Sequence, residues 1–333
     1  MDITVVIIQL IQLFILIGIG YLLGKTSLFR GVFVQQLTNL VLNLTMPCMI
    51  LSSVMNSIDA PALPLKDIII AMFILVIILP VAAFLMIRRI KTNQGLYLFM
   101  IMYPNVGFIG FPLMQSIFGS EAILATAIIN MGFNLSLFTL GIVAINYGEN
   151  KLTSFDLKKI FSPGVISSIL AVLIYTFKLT FPYVIVEPIN SIGMMTTPLA
   201  MLVIGATLSV YHLKDIFSDY TVYLFTLLID LIIPILFYPV ILLFIKDSMI
   251  RGITLIILAM PVANGAVLFA RSNGQDEFLA AKTVFISTML AIFTIPSLVY
   301  MFLLEEISRN DPDIVEEYTG NMLEIYDKKK SSY

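Results

Sequence analysis

The 333-residue chain has no tryptophan, one cysteine and one histidine. A lone Cys48 excludes an internal disulfide and argues against a zinc site, so it reads as a small packing residue. Charge is scarce too: 12% of residues are charged, against about 25% in soluble domains. The formal net charge is -2, and no basic stretch interleaved with aromatics marks a nucleic-acid partner. The sequence contains no H-E-x-x-H, no G-x-G-D, no paired acidic prenyl-diphosphate motif and no phosphate-binding loop. It therefore gives no support to an intramembrane enzyme or to direct use of ATP. "GIGYLLG" (18–24) imitates a dinucleotide loop but follows no strand, so Gly20 and Gly24 read as points of close helix packing. "MDITVVIIQL" has no basic n-region and opens too long an apolar stretch for a cleaved signal, so the first span is expected to stay.

Apolar sequence fills the space that charge leaves. The chain is 59% hydrophobic, with mean hydropathy +1.00. A spanning helix needs about 20 mostly apolar residues. Ten such runs are present, at 3–24, 33–56, 67–88, 95–117, 122–147, 162–181, 187–211, 219–245, 251–271 and 278–303. Spanning β-strands would be shorter and would alternate. The expectation is an all-α integral membrane protein with ten transmembrane helices and a polar tail over 305–333. Lysine and arginine set the orientation. Loops after odd-numbered spans hold Lys25, Arg30, Arg88, Arg89, Lys91, Lys151, Lys158, Lys159, Lys214, Arg271 and Lys282, whereas those after even-numbered spans hold Lys66, Lys178, Lys246 and Arg251. Eleven against four puts the first set in the cytoplasm and both termini outside the cell membrane.

The two halves of the chain repeat. Pro47 of "LTMPCMIL" matches Pro198 of "TTPLAML", Pro80 matches Pro234, and Pro104 of "MYP" matches Pro261 of "AMP". "GSEAILA" (119–125) matches "GQDEFLA" (274–280), and the four offsets are 151, 154, 157 and 155. The repeats cover 1–147 and 162–304, joined by a linker at 148–161. Five spans per half invert one half relative to the other, and inverted repeats with interrupted helices are the pattern of secondary transporters.

"MYPNVGFIGFPL" (102–113) sits in the middle of span 4 yet carries Pro104, Gly107, Gly110 and Pro112. A proline in a helix interior costs about 3 kcal/mol. A helix broken at membrane depth must line a cavity or be buried in protein. Spans 4 and 9 are therefore expected to be discontinuous and to cross, with half-helices starting near Gly107 and Gly265. Free N–H groups and the positive dipole end at such starts favour an anion.

"NVGFIGFPL" (105–113) resembles the N-x-G-F-x-G-x-P signature of the auxin efflux carrier family. "MPVANGAVLFARSNGQDEFLAAKTVFISTMLAIFTIP" (260–296) is similar to that family's last two helices, and "LTNLVLNLTMPCMIL" (37–51) to its second. The resemblance covers essentially the whole apolar region. The plant carriers have a long central loop, so the short linker here resembles prokaryotic members. The resemblance implies crossed broken helices 4 and 9, a scaffold of spans 1, 2, 6 and 7, and a moving domain of spans 3–5 and 8–10, as in an elevator mechanism. It also implies substrates such as malate or malonate rather than auxin. A homodimer through helices 1, 2, 6 and 7 is a candidate assembly.

The candidate substrate-binding residues are Pro104, Asn105, Val106, Gly107, Pro261, Asn264 and Gly265. Asn105 and Asn264 can each either cap a half-helix or meet a carboxylate. Asn130 and Asn134 share a face of span 5, where bonding between helices is favoured over lining the site. Asn39 and Asn43 read as packing, and Gln115 is open between the two roles. Thr45 and Thr196 are expected to bond carbonyls freed by the prolines that follow them. Lys282 reads as reaching to headgroups, Arg271 as an interfacial anchor and His212 as a solvated loop residue. Asp230 is the only acid deep in a span, and Pro234 cannot donate to its carbonyl. It is either a coupling or gating group, holding a proton or a cation such as sodium, or a structural acid.

The function expected is a secondary carrier for small organic anions, working by alternating access with substrate at the crossing of helices 4 and 9. No cofactor is expected beyond proton or sodium coupling. The alternative is a membrane receptor, sensor or channel on the same fold.

Overall fold

A computed structural model of the protein describes residues 3–26, 29–56, 63–90, 92–148, 163–210, 217 and 219–310. The readings of His212, of most of the 148–161 linker and of the tail beyond Asn310 lie outside these residues, as does the side chain of Arg271. The described residues form helices only, apart from one isolated β-bridge. In chain order the helices are α1 (Ile3–Gly24), α2 (Val32–Asn56), α3 (Leu65–Ile87), α4 (Gln94–Met102), α5 (Val106–Phe118), α6 (121–145) and α7 (Pro163–Phe177). The chain continues through α8 (Tyr183–Leu208), α9 (Tyr220–Phe244), α10 (Ser248–Leu258), α11 (Gly265–Asn273) and α12 (Glu277–Asn310). Five of these are long and apolar enough to cross a membrane unaided, or six if α6, bent by 47°, counts as one span. The protein is thus a multi-pass membrane protein.

The prolines shape the helices in a recurrent way. Wide π-turns at 41–45, 74–78, 106–110 and 228–232 each end two residues before a proline: Pro47, Pro80, Pro112 and Pro234. A proline ring clashes with the carbonyl four residues back, and widening the preceding turn relieves that clash. In each case the N–H just before the proline bonds five residues back, as from Ile233 to Leu228 and from Leu79 to Ile74. The next carbonyl in line, Ile229 or Leu75, would then need the N–H that proline lacks. The turns at 74–78 and 228–232 are 154 residues apart, as are Pro80 and Pro234.

Two groups of helices pack mainly among themselves. In the first, α1 lies along the second half of α8, and α2 packs on α7 and on the first half of α8. In the second, α3 to α6 and α9 to α12 pack together. The groups meet where α6 touches α2 and α7, where α1 touches α5 and α12, and where α5 touches α8. Glycine lets the first group close up. A Cβ on Gly20 would overlap the backbone of Leu202, one on Gly205 the backbone of Ile17, and one on Gly24 would press on Ala206 and Ser209. Without a hydrophobic drive between helices in lipid, such close backbone approach is what holds them together. The expected packing role of Gly20 and Gly24 therefore agrees with the structure.

Gly205→Ala is expected to destabilise the protein by about 1–3 kcal/mol, because the overlap falls on backbone that cannot turn aside. Thermal melting in detergent would show it as a lower midpoint. Gly18→Ala, in α1 with open space around the added Cβ, should not lower the midpoint and should raise it slightly through helix propensity.

Candidate functional site

The break between α4 and α5 begins with a residue pushed out of helical conformation by the proline that follows. Tyr103 ends α4 at φ -124°, ψ 82°. The breaks then pair with each other. Pro104 and Val262 form an antiparallel bridge, the Asn105 N–H donates to the Pro261 carbonyl at 2.8 Å, and the Ala263 N–H donates to the Tyr103 carbonyl at 3.2 Å. The Val262 N–H donates to the Ser287 hydroxyl of α12 at 3.2 Å. Two interrupted helices thus satisfy much of each other's backbone, which is the condition for a buried break.

Some donors remain without a partner among the described residues. Asn105 caps α5: its Oδ1 accepts from the Phe108 N–H at 3.3 Å. That contact fixes the orientation of the amide, and leaves its Nδ2 buried and unpartnered. The residue is 3% exposed. The backbone N–H groups of Gly107, Asn264 and Gly265 likewise have no partner among the described residues. The Oδ1 of Asn264 is buried without one. Each buried polar group left unpaired costs about 1–3 kcal/mol, so a cluster of them calls for a ligand or water.

A cavity of about 320 Å³ lies at this place, near the lower end of the range typical for small-molecule sites. Its polar lining is amide: Asn43, Asn105, Asn130, Asn134 and Asn264. Its apolar lining is largely aromatic: Phe99, Tyr103, Phe108, Phe133 and Phe269. Phe99 stacks obliquely on Tyr103 and Phe269 at 4.8 and 4.9 Å, and the Tyr103 hydroxyl donates to Ser136 at 3.3 Å. No charged side chain lines the cavity among the described residues.

Pro104, Asn105, Gly107, Asn264 and Gly265 all lie on this cavity, and no atom lies within 4 Å of where a Cβ on Gly265 would stand. Val106 and Pro261 do not line it: Val106 is buried with its N–H on the Pro104 carbonyl, and Pro261 contributes its carbonyl to the bridge. Asn130 and Asn134 line the cavity, and Asn134 donates to the Asn130 carbonyl within α6 rather than to another helix. Asn43 lines it as well, whereas Asn39 is exposed and Gln115 lies beyond it. The aromatic lining went unread, although the i, i+4 spacing of Phe99 and Tyr103 put them on one face.

Four residues outside the cavity also had sequence readings. Thr45 reaches the Val41 carbonyl at 3.5 Å, and the Thr196 hydroxyl is buried without a partner among the described residues. Lys282 pairs with Asp219 at 3.4 Å and lies over the Phe278 ring at 4.5 Å, a partner that its sequence position did not announce. The Thr221 hydroxyl, and then the charge of Lys282, hold the Asp219 carboxyl below the usual carboxylate range. Asp230 is fully buried in the π-turn of α9, away from the cavity, with neither oxygen partnered among the described residues.

Comparison with known proteins gives a consistent result. A family model described as "Membrane transport protein" matches residues 5–154 and 149–299. An uncharacterized transporter of Methanocaldococcus jannaschii is 24% identical over 293 residues, covering 84% of this chain and 94% of that protein. An uncharacterized transporter of Methanothermobacter thermautotrophicus is also 24% identical over 293 residues, covering 86% of this chain and 95% of that protein.

Asn105→Ala removes the cap of α5 and should lower stability by about 1 kcal/mol. Asn105→Asp keeps the capping oxygen and should melt above Asn105→Ala. Thermal denaturation of the two variants side by side checks this.

Proposed function

We propose that this chain, which belongs to the membrane transport protein family and so to the auxin efflux carriers that its sequence resembles, is a secondary carrier for small organic anions. The observation that carries the reading is the cross-paired break, with N–H groups that have no partner among the described residues gathered on one cavity. Two helix starts and an amide donor suit a carboxylate, because donors and positive dipole ends stabilise negative charge. With no cationic side chain among the described lining residues, the site suits a single carboxylate on an apolar body better than a group of higher charge. The aromatic walls would take that body.

The layout proposed is ten spans, with α4 and α5 together forming the fourth and α10 and α11 the ninth, arranged as two inverted five-helix repeats. The matched prolines and the two π-turns 154 residues apart support it. In this reading α1, α2, α7 and α8 form the scaffold. The remaining helices carry the site as a block past it, an elevator motion that gives alternating access. The pairing of the breaks with each other, inside that block, favours this over a pore, since a moving block keeps its site intact. The protein acts as a carrier and not as an enzyme, in the cytoplasmic membrane, with both termini outside. A homodimer through the scaffold helices is the assembly proposed.

A thermal-shift panel of carboxylates tests the site, because a ligand that binds the folded state stabilises it by mass action. A monocarboxylate should raise the melting midpoint of the wild type. Asn105→Asp, which puts a carboxylate where the Nδ2 donor was, should abolish that shift. Asn105→Ala should weaken binding about 10- to 150-fold, the loss of a hydrogen bond to a charged group. Equal affinity in all three proteins would remove Asn105 from the site.

Sidedness has its own test. In a Cys48→Ser background, a cysteine at Lys158 should be labelled by an impermeant reagent only from the cytoplasm, and one at Glu121 only from outside. The reverse pattern would invert the topology.

A further inference from the structure

Asp230 is the one carboxyl buried in the middle of a helix among the described residues, and it plays no part in the cavity. It is 0% exposed, and neither of its oxygens has a partner among the described residues. Its surroundings supply no countercharge. The π-turn that holds it packs on α12, which has no ionisable residue of either sign between Lys282 and Tyr300. Lys282 itself is engaged by Asp219 at the start of α9, eleven residues or about 16 Å before Asp230. The neighbouring Ile229 and Ile233 face Leu79, Met100, Ile101, Leu258 and Met260, from α3, α4, α10 and the chain just after α10. The ionisable groups of those helices are Lys66 and Asp67 near the start of α3, Tyr97 in the first turn of α4, which meets Phe225 edge to face with ring centroids 4.7 Å apart, and Arg251 in the first turn of α10. The void at that contact, which Pro104 also lines, is about 10 Å³, too small for a hydrated cation.

A bare carboxylate in such a place is strongly disfavoured, whereas a neutral carboxyl is tolerated. The Thr294 hydroxyl of α12 is also buried without a partner among the described residues. Twelve residues separate it from Lys282 and eleven separate Asp230 from Asp219, so the two groups stand at nearly the same depth in helices that start side by side. The Ile229 carbonyl, deprived of its donor by Pro234, lies on the same turn.

We propose that Asp230 is a proton-binding site, occupied in this conformation, whose proton is exchanged with water when the moving block changes position. The coupling half of this statement rests on the carrier reading; the binding half does not. The step is a simple ionisation: the carboxyl O–H bond breaks, the proton passes to water and the carboxylate remains until it is reprotonated.

Infrared spectroscopy of the protein in lipid, with aspartate labelled by carbon-13, tests the site without any substrate. At neutral pH the wild type should show a protonated aspartate C=O stretch that shifts with the label and is lost in Asp230→Asn. If no such band exists in the wild type, the proposal fails whatever the variants do. Folding that keeps a proton on Asp230 binds a proton that the unfolded chain releases, so the melting midpoint should fall as pH rises. That fall should be smaller in Asp230→Asn and in Asp230→Leu, the second serving if the first does not fold. A sodium-dependent rise in the wild-type midpoint that Asp230→Leu lacks would instead make the site a cation site and overturn the proposal. A protonated Asp230 in a protein that exchanges no solute would sink the carrier reading and leave the site standing.

Discussion

The rest of the structure depends on one constraint: a backbone N–H or C=O withdrawn from water must find a partner. An unbroken helix satisfies this internally, and this chain breaks two helices in the middle of apolar sequence. It meets the constraint by crossing the breaks, so that Asn105 and Ala263 donate to Pro261 and Tyr103 and two backbone hydrogen bonds staple the pair. What the crossing cannot satisfy is left facing a cavity. The polar lining of the cavity is therefore the remainder of a structural solution: the N–H groups of Gly107, Asn264 and Gly265 have no partner among the described residues because the geometry that pairs their neighbours leaves them over.

Proline accounts for four of the π-turns. Prolines at 47, 80, 112 and 234 would drive their rings into the turn before them, and each helix widens by one residue to receive the ring. Wide turns bend helices and free carbonyls, so they belong where helices must curve around a site or hold a polar group away from lipid. That two of them fall at matching positions of the two halves ties the backbone geometry to the repeat seen in the residues.

Much of this was legible in the sequence because proline and glycine act locally. Pro104 and Pro261 are each followed within four residues by a glycine, and this proline–glycine combination marked the breaks, so the starts of α5 and α11 could be placed within a residue or so. Gly20 and Gly24 announced close packing for the same reason. The amides were harder. Asn134 and Asn43 look like packing residues along one helix, and only the meeting of α2, α6 and the crossing turns them onto a cavity. The Lys282–Asp219 pair depends on two helices beginning side by side, 63 residues apart in the chain, which no local pattern encodes. The aromatic walls could have been suspected from the spacing of Phe99 and Tyr103, but aromatic residues at helical spacing pack in cores far more often than they line sites.

Solute counterflow in proteoliposomes tests the central claim most directly, namely that the crossing is a site presented in turn to the two sides of the membrane. Vesicles loaded with an unlabelled carboxylate that stabilises the protein should transiently accumulate the labelled compound from outside, without carrying an electrical conductance typical of a pore. Binding of that carboxylate with no exchange, or exchange replaced by an open conductance, would contradict the account.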